Sequence, residues 1–253
     1  MIIVLEKDSF DWVALTGAIT SVLAVIVAII TIWLQNKQFK KQREPVIKPA
    51  MKTFDVKLPE INLDWETGKK LDSKFSNTTI PVYNYGGTSA INISYSYTFT
   101  NLKAVKESLD KIQGFEDGDV KISDVNEENN SFDLCIESPS GWRRFNEIKR
   151  YVRFQDVILP GNNVNILLPS YFVVIINYAF QFDIWEDIEF PELELSLTYN
   201  DVNDKYWNVK YIIKLDTKTY NRKSGSDGVY LKSHFINEFV SQNPIKGIIR
   251  REL

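Results

Sequence analysis

The sequence predicts a mainly β chain: an N-terminal transmembrane helix, then an antiparallel, immunoglobulin-like β-sandwich with a few helical insertions and a C-terminal helix. Residues 12–34 contain no charged side chain, and a helix needs roughly 20 apolar residues to cross the hydrocarbon core of a bilayer. Beyond residue 50, several segments alternate polar and apolar residues as half-buried strands do. Aromatic residues make up 13% of the 253 residues, a share that favours strands and a large core.

The overall composition disfavours several classes of function. Basic residues number 30 and acidic residues 33, for a net charge of -3, so a strongly basic nucleic-acid binder is disfavoured. The single cysteine, Cys135, excludes an intramolecular disulfide, and the single histidine, His234, leaves few routes to general-base or metal chemistry. We therefore expect no cofactor, no metal and no small-molecule substrate.

The apolar stretch is interpreted as a retained single-pass span. Trp12 and Trp33 lie at its two ends, where indole rings prefer the membrane interface. Its Ser and Thr hydroxyls can donate to the helix backbone, which makes them tolerable in lipid. The preceding residues 1–11 are acidic, whereas a cleaved signal peptide begins with basic residues. A buried helix of a soluble protein is the alternative.

Basic residues follow the span and determine its expected orientation. The positive-inside rule places them in the cytoplasm and residues 1–11 outside, so we expect a single-pass protein of the inner (plasma) membrane. Residues 35–49 form a basic juxtamembrane linker, and four of its side chains are also candidates for binding anionic lipid headgroups. These four are Lys37, Lys40, Lys41 and Arg43.

Small side chains recur within the span at alternating spacings of three and four residues, as on the contact face of a left-handed helix pair. They form what we call the small-residue seam: Ala14, Gly17, Ser21, Ala24, Ala28 and Thr31. Because small side chains let two helix backbones approach closely, we expect the seam to mediate self-association or pairing with another membrane helix.

Residues 50–220 are assigned to a cytoplasmic β-sandwich, and residues 221–253 to a linker and a C-terminal helix. Alternation predicts strands at 52–58, 78–85, 90–100, 131–137, 164–168, 192–199 and 206–215. The last two flank a turn and predict a hairpin. Asn101 is expected to cap a helix that ends near Gln113. The apolar run 171–180 is expected to be a buried central strand.

The segment at residues 81–93 reads PVYNYGGTSAINI. It resembles an N-x-G-x-(G/x)-x-A-x-N-(I/V) element of uncharacterised bacterial membrane-anchored β-sandwich proteins. In those proteins a Leu-Pro-Gly-type turn often follows a later strand, and here that turn is at 159–161. The resemblance implies a sandwich on a membrane tether and carries no catalytic residues. The residues that carry the resemblance have structural roles, since the side chains of Asn84 and Asn92 can form hydrogen bonds with backbone groups.

A basic and aromatic stretch at residues 142–151 is the expected partner-binding surface, because Trp, Tyr and Arg are enriched at interface hot spots. Its candidate residues are Trp142, Arg143, Arg144, Phe145, Arg150 and Tyr151. The secondary structure of residues 142–154 stays open. Apolar residues at helical spacing favour an amphipathic helix packed on the sandwich, and a strand from residue 152 is the alternative.

Carboxylates are the one abundant type of side chain that could act in catalysis or bind a metal ion. A cluster surrounds Trp185 in the sequence: Asp183, Glu186, Asp187, Glu189, Glu192 and Glu194. Carboxylate pairs can act as acid and base or hold divalent cations, but the spacing of an EF-hand loop is missing, and solvated acidic loops are favoured. His234 is expected at the surface near the start of the C-terminal helix, and Cys135 as a buried structural thiol.

These features predict a non-enzymatic, membrane-anchored binding or scaffold protein. Its partners would be the lipid bilayer and another protein or a second copy of the chain. Two alternatives remain open: a membrane effector or immunity component of a bacterial defence system, and a carboxylate-dependent hydrolase.

Overall fold

The computed structural model describes residues 12–112, 119–126, 128–138, 141–225 and 228–245. The chain divides into two compact units, Met1–Glu44 and Pro45–Leu253, which we call the helical unit and the β unit. Residues 1–11, expected on the extracytoplasmic side, lie outside the described residues.

The helical unit contains one long helix, α1 (Trp12–Gln42). The hydroxyls of Ser21 and Thr31 donate to the carbonyl four residues earlier, each at 2.8 Å, and Thr16 does the same at 2.9 Å. The expected back-bonding of the polar residues is therefore confirmed. The helix continues past residue 34 to Gln42, and no helix breaker precedes Pro45.

The β unit contains thirteen strands and two helices in its described residues. In chain order they are β1 (Ile47–Pro49), β2 (Lys52–Leu58), β3 (Phe75–Asn84), β4 (Ala90–Phe99), α2 (Leu102–Lys111), β5 (Asp119–Asn126), β6 (Ser131–Ser138), β7 (Gly141–Ile148), β8 (Val152–Ile158), β9 (Asn163–Pro169), α3 (Ser170–Gln181), β10 (Leu193–Asn200), β11 (Tyr206–Leu215), β12 (Asn221–Gly225) and β13 (Gly228–Pro244).

The strands form antiparallel sheets, which confirms the mainly β prediction. The largest has seven strands in the order β12-β13-β11-β10-β4-β8, with β2 also paired to β13. Two three-stranded sheets have the orders β1-β3-β9 and β5-β6-β7. The predicted hairpin is β10 and β11, which pair from Leu193–Ile213 to Asn200–Tyr206. The whole is a β-sandwich-like fold.

Helix α3 lies in the core and contacts β3 and β9 of one sheet and β13 of another. The prediction of a central strand at 171–180 is therefore wrong. An apolar run of this length has no polar face that would distinguish the period of a helix from that of a strand. The polar residue inside it, Asn177, is buried and bonds the carbonyls of Ile61 and Leu63 at 3.0 and 2.9 Å.

For the described residues, the predicted linker and C-terminal helix at 221–253 are wrong, since residues 221–225 and 228–244 form β12 and β13. In β13 the residues Val229, Leu231, Ser233 and Phe235 are buried while their neighbours are exposed or partly buried. That burial has the period of a strand. His234 consequently lies in β13, opposite Thr53 of β2, and not at a helix start.

The remaining local predictions have mixed outcomes. The helix after Asn101 is confirmed as α2, but Asn101 makes no side-chain cap. Its side-chain amide instead donates to the Phe190 carbonyl and accepts from the Glu192 backbone amide. The amphipathic-helix interpretation of 142–154 is wrong, because β7 and β8 occupy this region.

The segment that carries the family resemblance has the expected backbone bonding. The side chain of Asn84 accepts from the amides of Val46 and Gly86 and donates to the carbonyls of Thr88 and Ile158. The turn at 159–161 is also present, with Gly161 at a φ of 74°. Asn84 therefore joins β1, β3 and the end of β8.

Candidate functional site

Helix α1 is the candidate membrane anchor. Within it, Leu15–Phe39 is 25 residues long and apolar enough to cross a membrane, and none of this window is buried. Among the described residues it is the one helix with these properties. A helix in the core of a soluble protein would be mostly buried, and the exposure of this window disfavours that alternative.

The small-residue seam lies along α1. Gly17, Ser21, Ala24, Ala28 and Thr31 are all exposed, and an added Cβ at Gly17 would meet nothing within 4 Å. The side chain of Ala14 lies outside the described part. The exposed seam leaves room for a second helix, and its role in pairing stays a prediction.

The expected headgroup-binding residues surround the end of α1. Lys37 places its ammonium nitrogen 5.3 Å from the centroid of the Trp33 ring, a cation–π contact suited to the membrane interface. Arg43 directly follows α1 and is exposed. The side chains of Lys40 and Lys41 lie outside the described part. Lipid binding by these residues stays a prediction.

The expected partner-binding residues fall on two separate parts of the backbone. Trp142, Arg143, Arg144 and Phe145 belong to β7, whose backbone pairs with β6; their side chains lie outside the described part. Between β7 and β8, the other two residues contact the β unit itself. Arg150 donates to the Ser96 hydroxyl at 3.0 Å, and the Tyr151 ring lies 3.9 Å from the ammonium of Lys74.

Exposed apolar side chains on the β unit were missed by sequence reasoning. Val152 and Phe154 are exposed on β8, an edge strand of the large sheet. Met51, Phe239 and Val240 are also exposed, by 65, 59 and 47%. The available signal was the pair Phe239–Val240, two consecutive apolar residues in a segment wrongly assigned to a helix. In a strand, consecutive residues point to opposite faces, so one of the two had to face away from the core.

The carboxylates near Trp185 are held by cations and by the indole. Asp183 accepts from the Trp185 indole at 3.2 Å and pairs with Arg222 at 3.0 Å. Glu194 pairs with Lys210 at 2.7 Å. No group of three or more His, Cys, Asp or Glu side chains in the described residues could hold a metal ion. Asp183, Glu186, Asp187 and Glu189 are exposed in the loop between α3 and β10, whereas Glu194 lies in β10 and is partly buried.

His234 contacts a carboxylate and a hydroxyl. Its Nε2 lies 3.1 Å from an oxygen of Asp216. The Thr219 hydroxyl donates to Asp216 and also lies 3.5 Å from Nδ1 of the His234 ring. The Thr219 hydroxyl, the Lys218 amide and His234 together lower the pKa of Asp216. Cys135 is partly buried in β6.

The fold and these surfaces define a class: an antiparallel β unit joined to a helix long enough to span a membrane. No family model, curated protein or solved structure matches the chain.

Proposed function

We propose that the chain is a single-pass, membrane-anchored binding protein whose β unit recruits a protein partner to the cytoplasmic face of a bacterial inner membrane. The observation that carries the proposal is the exposed apolar window of α1, which precedes a compact β unit by a few residues. Anchoring confines the β unit to a surface and raises its effective concentration toward other membrane-bound molecules.

Charge supports the N-out orientation. Four basic residues lie between Lys37 and Arg43, whereas the eleven residues before the helix are acidic overall. Basic residues close to a span are retained on the cytoplasmic side. Their attraction to anionic lipid, roughly 1 kcal/mol per Lys or Arg near the surface, acts in the same direction.

Two variants test the partner surface on β7. Arg143→Ala with Arg144→Ala should weaken crosslinking of the full-length chain to its partner in cells, because truncated hot-spot residues lose desolvated contacts. Lys57→Ala with Tyr230→Ala is the matched control, since this pair is another basic and aromatic contact, at 5.6 Å, on β2 and β13. Equal crosslinking by both double variants would exclude β7 as the surface.

Anchoring and orientation need separate measurements. The full-length chain should remain in the membrane fraction after carbonate extraction. A C-terminal fluorescent protein should fluoresce and a C-terminal alkaline phosphatase should stay inactive, because the phosphatase folds only outside the cytoplasm. An extractable chain contradicts anchoring, and an active phosphatase contradicts the orientation.

A further inference from the structure

The three exposed apolar residues Met51, Phe239 and Val240, which we call the apolar rim, lie beside the segment where the chain enters the β unit. Phe239 packs on Tyr211 with ring centroids 5.7 Å apart. The Tyr211 hydroxyl donates to the Ile47 carbonyl at 2.8 Å, and burial raises the pKa of Tyr211 to about 12. This side of β13 is therefore adjacent to β1.

A second contact places Met51 in the same region. The side-chain amide of Asn237 donates to the carbonyl of Ala50 at 2.9 Å, and Met51 is the next residue. β2 pairs with β13 only from Val229 to Phe235. Beyond Phe235, β13 pairs with β11 on one side, and no described strand lies on the other. The rim therefore occupies an open strand edge next to the entry segment.

The entry segment itself is fixed to the β unit. Pro45, Ile47 and Pro49 are buried, and the Tyr199 hydroxyl donates to the Pro45 carbonyl at 3.3 Å. The apolar window of α1 ends at Phe39 and the helix at Gln42. At about 1.5 Å per helical residue and at most about 3.6 Å per extended residue, Pro45 lies no farther than roughly 15 Å from the end of the window.

We propose that the apolar rim contacts the lipid bilayer, in the interfacial layer of the membrane that α1 spans. This inference rests on the proposed function, because it requires α1 to be anchored. Apolar side chains bordered by basic residues are the combination that binds membrane interfaces. Lys48 supplies the basic residue, exposed between the buried Ile47 and Pro49. The acidic neighbour Glu238 pairs with Lys214 at 2.7 Å.

Lipid contact is measurable on the full-length chain with one environment-sensitive fluorophore. In a Cys135→Ser background, Val240→Cys and Met51→Cys are labelled with nitrobenzoxadiazole. The protein is reconstituted in vesicles of phosphatidylcholine and phosphatidylglycerol that contain a doxyl-labelled lipid. Tyr230→Cys is the matched control, because Tyr230 is an exposed position on the same strand as Val240. At 3.3 Å per residue it lies about 30 Å from position 240 and, through its partner Lys57 in β2, about 20 Å from position 51.

Doxyl lipid should quench the label at positions 240 and 51 at least about twofold more than at position 230, as expected for side chains in the interfacial layer. Equally weak quenching at all three positions, in protein that floats with the vesicles, overturns the rim proposal and leaves anchoring intact. If the label reports an apolar environment but the doxyl lipid does not quench it, a protein or a second copy of the chain covers the rim, and this result also overturns the rim proposal. Protein that fails to float contradicts the proposed function itself.

Discussion

Replacement of Asn177 by leucine should destabilise the β unit by about 3 kcal/mol. Asn177 is fully buried in α3, and its amide makes three hydrogen bonds. The carbonyl oxygen accepts from the Trp65 indole at 2.6 Å, and the amide nitrogen donates to the carbonyls of Ile61 and Leu63. Leucine has a similar volume and removes all three bonds without leaving a cavity.

The magnitude follows from the groups that lose their partners. A buried donor or acceptor left unsatisfied costs about 1–3 kcal/mol, and two of the three here are backbone carbonyls of the loop before β3. Trp65 is partly exposed, so its indole can recover a bond to water and belongs at the low end of that range. Added apolar burial by leucine offsets roughly 1 kcal/mol. The sum, about 3 kcal/mol, is a large part of the stability of an ordinary domain.

Urea unfolding of the full-length chain in detergent micelles, followed by far-ultraviolet circular dichroism, measures the change. Asn77→Leu is the matched control, because Asn77 is exposed on β3 and its substitution should change the free energy of unfolding by less than about 0.5 kcal/mol. Asn177→Asp keeps the acceptor for the indole but loses both donations, so it should also destabilise. If Asn177→Leu matched the Asn77→Leu control, the buried amide would not hold α3 against this loop.

Three further predictions concern substitutions elsewhere in the chain. Gly228→Ala should lower the free energy of unfolding by about 2 kcal/mol in the same assay, because φ is 130° and the new Cβ would lie 2.9 Å from a carbonyl oxygen of β2; Gly161→Ala, at a φ of 74° with open space around it, should cost less. Asp216→Asn should reduce the loss of stability that acid causes. A carboxyl whose pKa is lowered on folding stabilises the folded state fully above about pH 4, and this stabilisation is lost as the pH falls through the folded-state pKa. Unchanged acid unfolding would contradict that contribution. Gly17→Ile with Ala24→Ile should lower the mass of any oligomer of the detergent-solubilised chain, measured by light scattering with mass calibration, since bulky side chains keep helix backbones apart.

The strands that could be predicted from the sequence are those with one buried face and one face toward solvent. Segment 52–58 coincides with β2, where Phe54, Val56 and Leu58 are buried and the residues between them are exposed. In β11 buried and partly buried residues alternate throughout, and in β10 the same alternation is interrupted at Ser196, which is also buried. In such strands the local pattern of polarity records the position of the core directly.

Helix α3 could not be predicted in this way, because its surroundings remove the pattern. It contacts strands of two sheets and is buried all round, so no face needs polar residues. Asn177 was the one informative exception. A polar side chain in an apolar run requires a partner when buried, but the sequence does not say that the partners are the backbone around residues 61–63.

The apolar rim was missed for a related reason. Sequence reasoning sought a partner surface where aromatic and basic residues are concentrated, at 142–151, and gave no weight to Phe239 and Val240. An apolar residue in a strand is interpreted as core unless the neighbouring strands are known. Only the register of β2 shows where β13 has an open edge. The first residue of β2, Lys52, lies opposite Phe235, and β2 pairs with no residue of β13 beyond it. The exposure of the apolar rim is thus a property of strand pairing between residues about 180 positions apart, such as Phe235 and Lys52, which composition and periodicity do not contain.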